Sequence, residues 1–310
     1  MSFHEDARLD TSQVEARSGG GGRNRGPMMV GGGVGGLILL VLALTLGINP
    51  SDLPGGDAVT GNEQGAGQLD TGGTNADAQL KDECQSGAQA NTNDRCLVVG
   101  TVNSVQDFWA AELPRHGKTW RPTKTVLYSG STQSACGTAS NQVGPFYCPL
   151  DQRVYIDASF YRILAEQFGS STGTLAKEYV IAHEYGHALQ DQFGLLARAQ
   201  QDPQGPQSGG VRVELMADCL AGVWASHAST TRDSAGTPFL TGITRQDLLD
   251  ALSAAKSVGD DHIQSTMGGG RVNPEKWTHG SSQARQRWFL TGYTSGDLGQ
   301  CNTFTAANVE

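Results

Sequence analysis

The sequence has no excess of basic residues and no closely spaced cysteine pair, and these absences exclude two classes of site. Its 22 lysines and arginines are outnumbered by 31 aspartates and glutamates, giving a formal net charge of -9 and an isoelectric point near 5.2. A nucleic-acid-binding protein would carry a basic face, so we expect no nucleic-acid partner. None of the six cysteines lies in a Cys-x-x-Cys pair, the spacing typical of a structural zinc site.

The first 80 residues lack the composition of a folded domain. Residues 1–27 are polar and rich in glycine and arginine, which predicts a disordered tail. Residues 28–48 contain no charged side chain, and this stretch is long enough to cross a bilayer as one helix. Residues 49–80 have almost no large apolar side chains and are predicted to be a flexible linker. We therefore expect the folded domain to occupy residues 81–310.

The charges beside residues 28–48 predict an orientation. Arg23 and Arg25 precede the apolar segment, whereas Asp52 and Asp57 follow it. The positive-inside rule then keeps the amino terminus in the cytoplasm and sends the rest across the membrane. A cleaved signal peptide is the alternative, but the leading polar segment is long and no clear Ala-x-Ala site follows. We expect an uncleaved single-pass anchor with the domain outside the cytoplasm.

The six cysteines allow fifteen pairings. Their even number and the expected location favour three disulfides. Two of the proposed pairs join cysteines twelve residues apart, Cys84 with Cys96 and Cys136 with Cys148. The two remaining cysteines, Cys219 and Cys301, would form the third disulfide. The alternative is a set of reduced, buried cysteines.

The sequence His-Glu-x-x-His occurs at residues 183–187, within a run predicted to be helical. Two residues four apart lie about 40° apart around a helix axis, so His183 and His187 project from one face, where one tetrahedral zinc ion can bind both. Glu184 lies near the edge of that face, close enough to contact a metal-bound water without being a ligand. The alternative is two surface histidines on an ordinary helix.

A second predicted helix, residues 211–225, carries two acids among small and apolar side chains. Burying Glu214 and Asp218, four residues apart, is unfavourable unless they meet a cation. We predict Glu214 as the third zinc ligand and Asp218 as the acceptor for the N–H of a ligand histidine. Two histidines and one glutamate leave a fourth position for water, as in catalytic zinc sites. A solvated acidic edge is the alternative.

Together these motifs resemble the neutral zinc metallopeptidases of bacteria, a gluzincin-like family. The resemblance covers about residues 80–306 and implies an α+β, zincin-like domain with a small sheet and an active-site helix. Beyond the two helices it rests on shorter segments: 134–137, 144–149, 154–157, 259–261, 278–282, Arg285, 288–289 and 301–304. Residues 124–128 and 153–157 are predicted strands, and residues 197–210 a loop. Residues 144–148 are a candidate edge strand that could pair with an extended peptide. The equally supported alternative is that their aromatic side chains only pack beside a disulfide.

The resemblance implies a zinc-dependent peptidase acting on a peptide or protein, and residues 28–48 would anchor it in the bacterial cell membrane. Glu184 would accept a proton from the attacking water, and His279 or Arg285 would donate to the developing oxyanion. Two other functions stay open: a metallohydrolase acting on a non-peptide amide or ester, and a non-enzymatic binding protein that zinc stabilises. The sequence predicts neither substrate identity nor oligomeric state.

Overall fold

In the computed structural model, which describes residues 1–18, 74–141, 143–267 and 270–310, helices pack against a small sheet. The helices are α1 (Thr74–Glu83), α2 (Gly87–Ala90), α3 (Asp94–Glu112), α4 (Phe160–Phe168), α5 (Thr174–Gln192), α6 (Ala197–Gln201), α7 (Gly209–His227), α8 (Arg245–Ser257), α9 (Asp260–Met267) and α10 (Ser282–Ser295). The strands are β1 (Val14–Arg17), β2 (Lys124–Tyr128), β3 (Ser131–Ser134), β4 (Gly137–Ser140), β5 (Phe146–Cys148) and β6 (Arg153–Asp157). Short 3₁₀ helices span Thr11–Gln13, Leu113–His116, Pro274–Lys276 and Leu298–Cys301.

The main sheet has the order β1-β2-β6-β5. Strands β1, β2 and β6 are parallel, and β5 runs antiparallel to β6. Strands β3 and β4 form a separate antiparallel hairpin. Within the described residues, β1 and β5 are therefore the two edges of the main sheet, and β5 is the one that lies against α5.

The two faces of the sheet join different cores. Leu127, Tyr147 and Ile156 face the large core, to which α3, α5, α7 and α10 contribute. Val126 and Phe146 face a smaller core beneath the β3–β4 hairpin. This alternation follows from the two-residue period of a strand.

The sequence-based assignment to the α+β class is confirmed.

Helices α5, α7 and α10 pack together around the predicted metal site. Helices α7 and α10 each begin with a serine cap. Ser208 accepts a hydrogen bond from Val211 N, and Ser281 accepts one from Ala284 N. These caps satisfy amides that have no partner inside the helix. Helix α5 ends at Gln192, and its cap residue Phe193 is followed by Gly194, whose φ of 69° lies in the left-handed region that glycine tolerates.

Several sequence-based predictions agree with the structure. Both predicted strands, 124–128 and 153–157, have the predicted bounds, and a strand lies within residues 144–148. All three predicted disulfides are present: Cys84–Cys96, Cys136–Cys148 and Cys219–Cys301. The predicted loop 197–210 is partly wrong, because its first five residues form α6.

The predictions for the amino-terminal region need correction. Disorder was predicted for residues 1–27, but residues 1–18 are folded, with Phe3 and Val14 buried and β1 in the main sheet. The predicted linker, residues 49–80, also ends earlier, because α1 begins at Thr74 and buries Leu80. The polar composition misled the prediction because scattered apolar residues, rather than a periodic run, enter the core.

The predicted membrane segment, residues 28–48, lies outside the described residues. Among the residues that are described, no helix has the length and apolar character needed to cross a bilayer.

Candidate active site

The two histidines of the His-Glu-x-x-His motif lie on the buried face of α5. His183 is 7% exposed and His187 2%. Their Nε2 atoms are 3.1 Å apart, and the two ring planes are perpendicular. The four-residue spacing thus brings two imidazole nitrogens to one point.

Glu214 of α7 reaches both histidines. Its Oε2 lies 3.3 Å from His183 Nε2 and its Oε1 lies 3.4 Å from His187 Nε2. Gly186 permits this approach, because a Cβ atom there would lie 2.9 Å from Ala217 Cα on α7. A larger residue at position 186 would push α7, and Glu214 with it, away from the histidines.

The outward-facing nitrogen of each histidine already has a partner. His183 Nδ1 lies 2.8 Å from Asp218 Oδ1, and His187 Nδ1 lies 2.8 Å from Gln190 Oε1. Such contacts fix the ring orientation and leave Nε2 available as a metal ligand. Gln190 is itself held, because its Nε2 donates to Val213 O at 2.7 Å.

The donor set fits one zinc ion. Zinc binds histidine nitrogen and carboxylate oxygen at about 2.0–2.2 Å, and a tetrahedral arrangement then separates the ligand atoms by about 3.3 Å. One such atom from each of His183, His187 and Glu214 lies within 4.8 Å of the others, and all three residues are buried. These residues can therefore hold a metal ion.

The charges around this site favour a cation. Burial lowers the pKa of His183, but the carboxylates of Asp218 and Glu214 outweigh it and raise that pKa to about 9. Burial lowers the pKa of His187 to about 4, so this ring is neutral and its nitrogen is free to bind a metal.

Glu184 lies beside this cluster, with its carboxyl group 7% exposed. Its Oε2 has no hydrogen-bond partner in the described part of the chain, and the backbone of Tyr147 on β5 lowers the pKa of the carboxyl group slightly. Burial, with a smaller contribution from Glu214, raises the pKa of Glu184 to about 8. A buried carboxyl with an unpaired oxygen is available for proton transfer.

The loop before α10 places His279 near Glu214. Asp260 Oδ2 accepts the backbone N–H groups of Thr278, His279 and Gly280 at 2.7, 2.6 and 3.0 Å. Burial lowers the pKa of His279, but Glu214 and Asp260 raise it by more. His279 is thus a partly buried imidazole whose protonated form Glu214 and Asp260 both favour.

Arg285 has a different position from the one predicted for an oxyanion donor. Its Nε and Nη2 both donate to Asp218, each at 2.9 Å, and Nη2 also donates to the hydroxyl of Tyr179 at 3.2 Å. Tyr179 itself donates to Asp218 at 2.5 Å. The guanidinium is 2% exposed and fully engaged, so it orients Asp218 and, through it, His183.

The sequence-based reading missed two residues that position the ligands: Tyr179 and Gln190. Both lie on α5, Tyr179 four residues before His183 and Gln190 three residues after His187. That helical spacing is a signal that could have identified them, because residues three or four apart share a face.

Comparison with known proteins agrees with this geometry. The family described as "Putative neutral zinc metallopeptidase" matches residues 3–304. Uncharacterized protein YpfJ of Escherichia coli K12 is 37% identical over 305 residues, covering 96% of this chain and 97% of that protein. Uncharacterized proteins Rv2575 of Mycobacterium tuberculosis and Mb2605 of Mycobacterium bovis are each 51% identical over 228 residues, covering 73% of this chain and 76% of each relative. No solved structure matches the chain. The chain therefore belongs to the neutral zinc metallopeptidase family.

Proposed function

We propose that this protein is a zinc-dependent peptidase of the zincin type. The observation that carries the proposal is the convergence of His183, His187 and Glu214, with the unpaired carboxyl of Glu184 beside them. Zinc held by these three residues would supply Lewis-acid chemistry, activating a water molecule and polarising the scissile carbonyl. Three protein ligands suit catalysis, because a structural zinc site normally has four.

Glu184 is the general base in this proposal. Its carboxylate accepts a proton from the attacking water and passes it to the leaving amine. Burial raises the pKa of Glu184 and so favours the protonated form that the second step requires. A purely structural site has no use for this carboxyl, which argues against a non-enzymatic role.

His279 donates a hydrogen bond to the developing oxyanion. Its position near Glu214 supports this role, because Glu214 and Asp260 raise the pKa of His279 and so favour the protonated ring, which donates hydrogen bonds from both nitrogens. Asp260 positions the ring through the three backbone contacts described above. Arg285 is not used as the donor in this proposal, because its Nε and Nη2 donate to Asp218 and its Nη1 donates to Val258 O.

Strand β5 is the proposed docking site for an extended peptide. It is an edge of the main sheet within the described residues, its three residues are buried, and the backbone of Tyr147 is near enough to Glu184 to act on its pKa. A peptide that adds to this edge lays its backbone next to the general base. This arrangement favours a peptide or protein substrate over a small non-peptide amide or ester.

The compartment is proposed from the cysteines. All six are in disulfides, which persist in oxidising compartments, so we place the catalytic domain outside the cytoplasm of a bacterial cell. Attachment to the membrane through residues 28–48 stays a prediction.

The test compares two glutamates of the same helix. Glu184→Gln removes the proposed base, and Glu178→Gln is the matched control, because Glu178 is also fully buried on α5 with a pKa raised to about 8. With full-length, zinc-loaded protein, we expect Glu184→Gln to lower the rate of casein or peptide hydrolysis by about 10²–10⁴ while retaining zinc. Glu178→Gln should keep the wild-type rate. Hydrolysis of peptides by Glu184→Gln at that rate would refute the mechanism.

A further inference from the structure

The loop that carries His279 has its backbone held by two carboxylates. The amide groups of residues 278–281, four in a row, all donate to acidic side chains. The first three donate to Asp260, as described above. The fourth, Ser281 N, donates to Glu310, whose Oε1 and Oε2 lie 3.1 and 3.2 Å away. Two acids from different parts of the chain therefore hold one short segment.

Asp260 fixes the first part of this loop and the ring of His279. Besides accepting three amides, it donates its own backbone N–H to Gly280 O at 2.9 Å. His279 Nδ1 lies 3.0 Å from Thr278 Oγ1 and 3.5 Å from Asp260 Oδ1. The Nδ1 side of the ring thus faces the residues that hold the loop. The other nitrogen, Nε2, is then the one that would donate to an oxyanion.

Glu310 closes the loop against α7. Gly280 lies between them, because a Cβ atom there would be 2.9 Å from Glu310 Oε1 and 3.2 Å from both Leu215 Cδ2 and Val211 Cγ1. Leu215 directly follows the metal ligand Glu214 in α7. The loop is therefore packed tightly between the helix that carries this ligand and the Glu310 carboxylate.

The backbone that presents Glu310 is itself anchored to the domain. Val309 is fully buried in the large core. Its carbonyl accepts from Trp288 Nε1 at 3.0 Å and from Arg287 Nη2 at 2.6 Å, and both residues lie on α10. Val309 N donates to Gln207 Oε1 at 3.1 Å. Because these contacts fix the preceding residue, the Glu310 side chain loses little further freedom when it binds Ser281 N.

We propose that Glu310 is a positioning residue for the reaction: by accepting the Ser281 amide, it keeps the 278–281 loop against α7 and His279 in its place near Glu214. Glu310 acts through the backbone of the loop and is not itself a catalytic residue. The proposal rests on the proposed function, in which His279 donates to the oxyanion.

The first test measures kcat and KM for peptide hydrolysis by the full-length, zinc-loaded protein. Glu310→Ala removes the acceptor of the Ser281 amide, whereas Glu310→Gln keeps an acceptor oxygen. Glu275→Ala is the matched control, because Glu275 is an exposed glutamate just before the same loop. We expect Glu310→Ala to lower kcat about tenfold and leave KM within about twofold, because a misplaced donor weakens only the transition state. Glu310→Gln should recover most of kcat, and Glu275→Ala should keep the wild-type value.

A double-variant cycle shows whether Glu310 acts through His279. The substitution Glu310→Ala is also made in the His279→Ala protein. We expect no further loss of kcat there, because the group that Glu310 positions is already absent. An equal fractional loss of kcat in both backgrounds would overturn the proposal, since Glu310 would then act on the enzyme by another route.

Hydrogen exchange measured by mass spectrometry tests the loop without using activity. We expect Glu310→Ala to speed amide exchange in residues 278–284 about tenfold, and to leave exchange in α5 unchanged. Unchanged exchange in residues 278–284 would overturn the role of Glu310 alone and leave the proposed function standing. A wild-type kcat for His279→Ala would instead refute the oxyanion role of His279, and the role of Glu310 in the reaction with it.

Discussion

The disulfide between Cys219 and Cys301 fastens α7, the helix that carries Glu214, to the carboxy-terminal segment. Both cysteines are buried, with exposures of 0% and 2%. Cys219 follows Glu214 by five residues, about 140° around the helix, so it lies away from the metal ligands. We predict that replacing both cysteines by serine lowers the stability of the fold and weakens zinc binding, because α7 is no longer held in position.

The magnitude follows from the length of chain that the disulfide closes. Cys219 and Cys301 are 82 residues apart, and the chain-entropy model then assigns the disulfide about 4.5 kcal/mol. Cys84 and Cys96 are 12 apart, which corresponds to about 3 kcal/mol. At about 2–4 °C per kcal/mol, the expected fall in melting temperature is roughly 9–18 °C for the first pair and 6–12 °C for the second.

The Cys84→Ser/Cys96→Ser variant is the matched control, because this disulfide joins the start of α3 to the residue after α1 and touches no metal ligand. Melting temperatures and zinc affinities, the latter by competition with a chelator, are measured for both double variants. We expect roughly tenfold weaker zinc binding for Cys219→Ser/Cys301→Ser alone. Equal zinc affinities in the two variants would refute the idea that this disulfide supports the metal site.

Three further predictions concern single residues. Arg285→Gln leaves the fully buried Asp218 without its counter-ion and should lower the free energy of unfolding by about 3–5 kcal/mol, measured by urea denaturation; a loss under 1 kcal/mol would contradict this role. Gln190→Leu removes the partner of His187 Nδ1 and should weaken zinc affinity by roughly 10–100-fold in the chelator assay. An unchanged zinc affinity would exclude a positioning role for Gln190. Burial raises the pKa of Glu178 from 4.5 to about 8, so the stability that depends on the protonated Glu178 carboxyl is fully present below pH 4.5 and is lost as the pH rises through 8. Glu178→Gln should therefore show a smaller fall in melting temperature between pH 5 and pH 9 than the wild-type protein. An equal fall in both proteins would refute the pKa shift.

The two helices that carry the candidate metal ligands could be predicted from the sequence because their signals are local. The spacing of His183 and His187 sets both rings on one helix face, and acids at Glu214 and Asp218 stand out in an apolar helix. Strands β2 and β6 were equally clear, since both are short β-branched and aromatic runs. Each of these patterns lies within about fifteen consecutive residues.

The remaining features depend on contacts between distant parts of the chain. Nothing near Phe3 indicates that it is buried; the space it fills is created by Gly87 and Gly100. The orientation of Arg285 is likewise set by Asp218, 67 residues earlier. Composition describes one segment at a time, so it predicts a disordered tail over residues 1–27, and the resemblance alone leaves His279 and Arg285 as alternative oxyanion donors.

The central claim is that one zinc ion is held by His183, His187 and Glu214, and metal analysis tests it most directly. Zinc per chain is measured by mass spectrometry in the full-length wild-type protein, His183→Ala and Glu214→Ala, with folding checked by circular dichroism. We predict one zinc per wild-type chain and a large loss of zinc in both folded variants. Full zinc occupancy in His183→Ala and Glu214→Ala would contradict the assignment of the site.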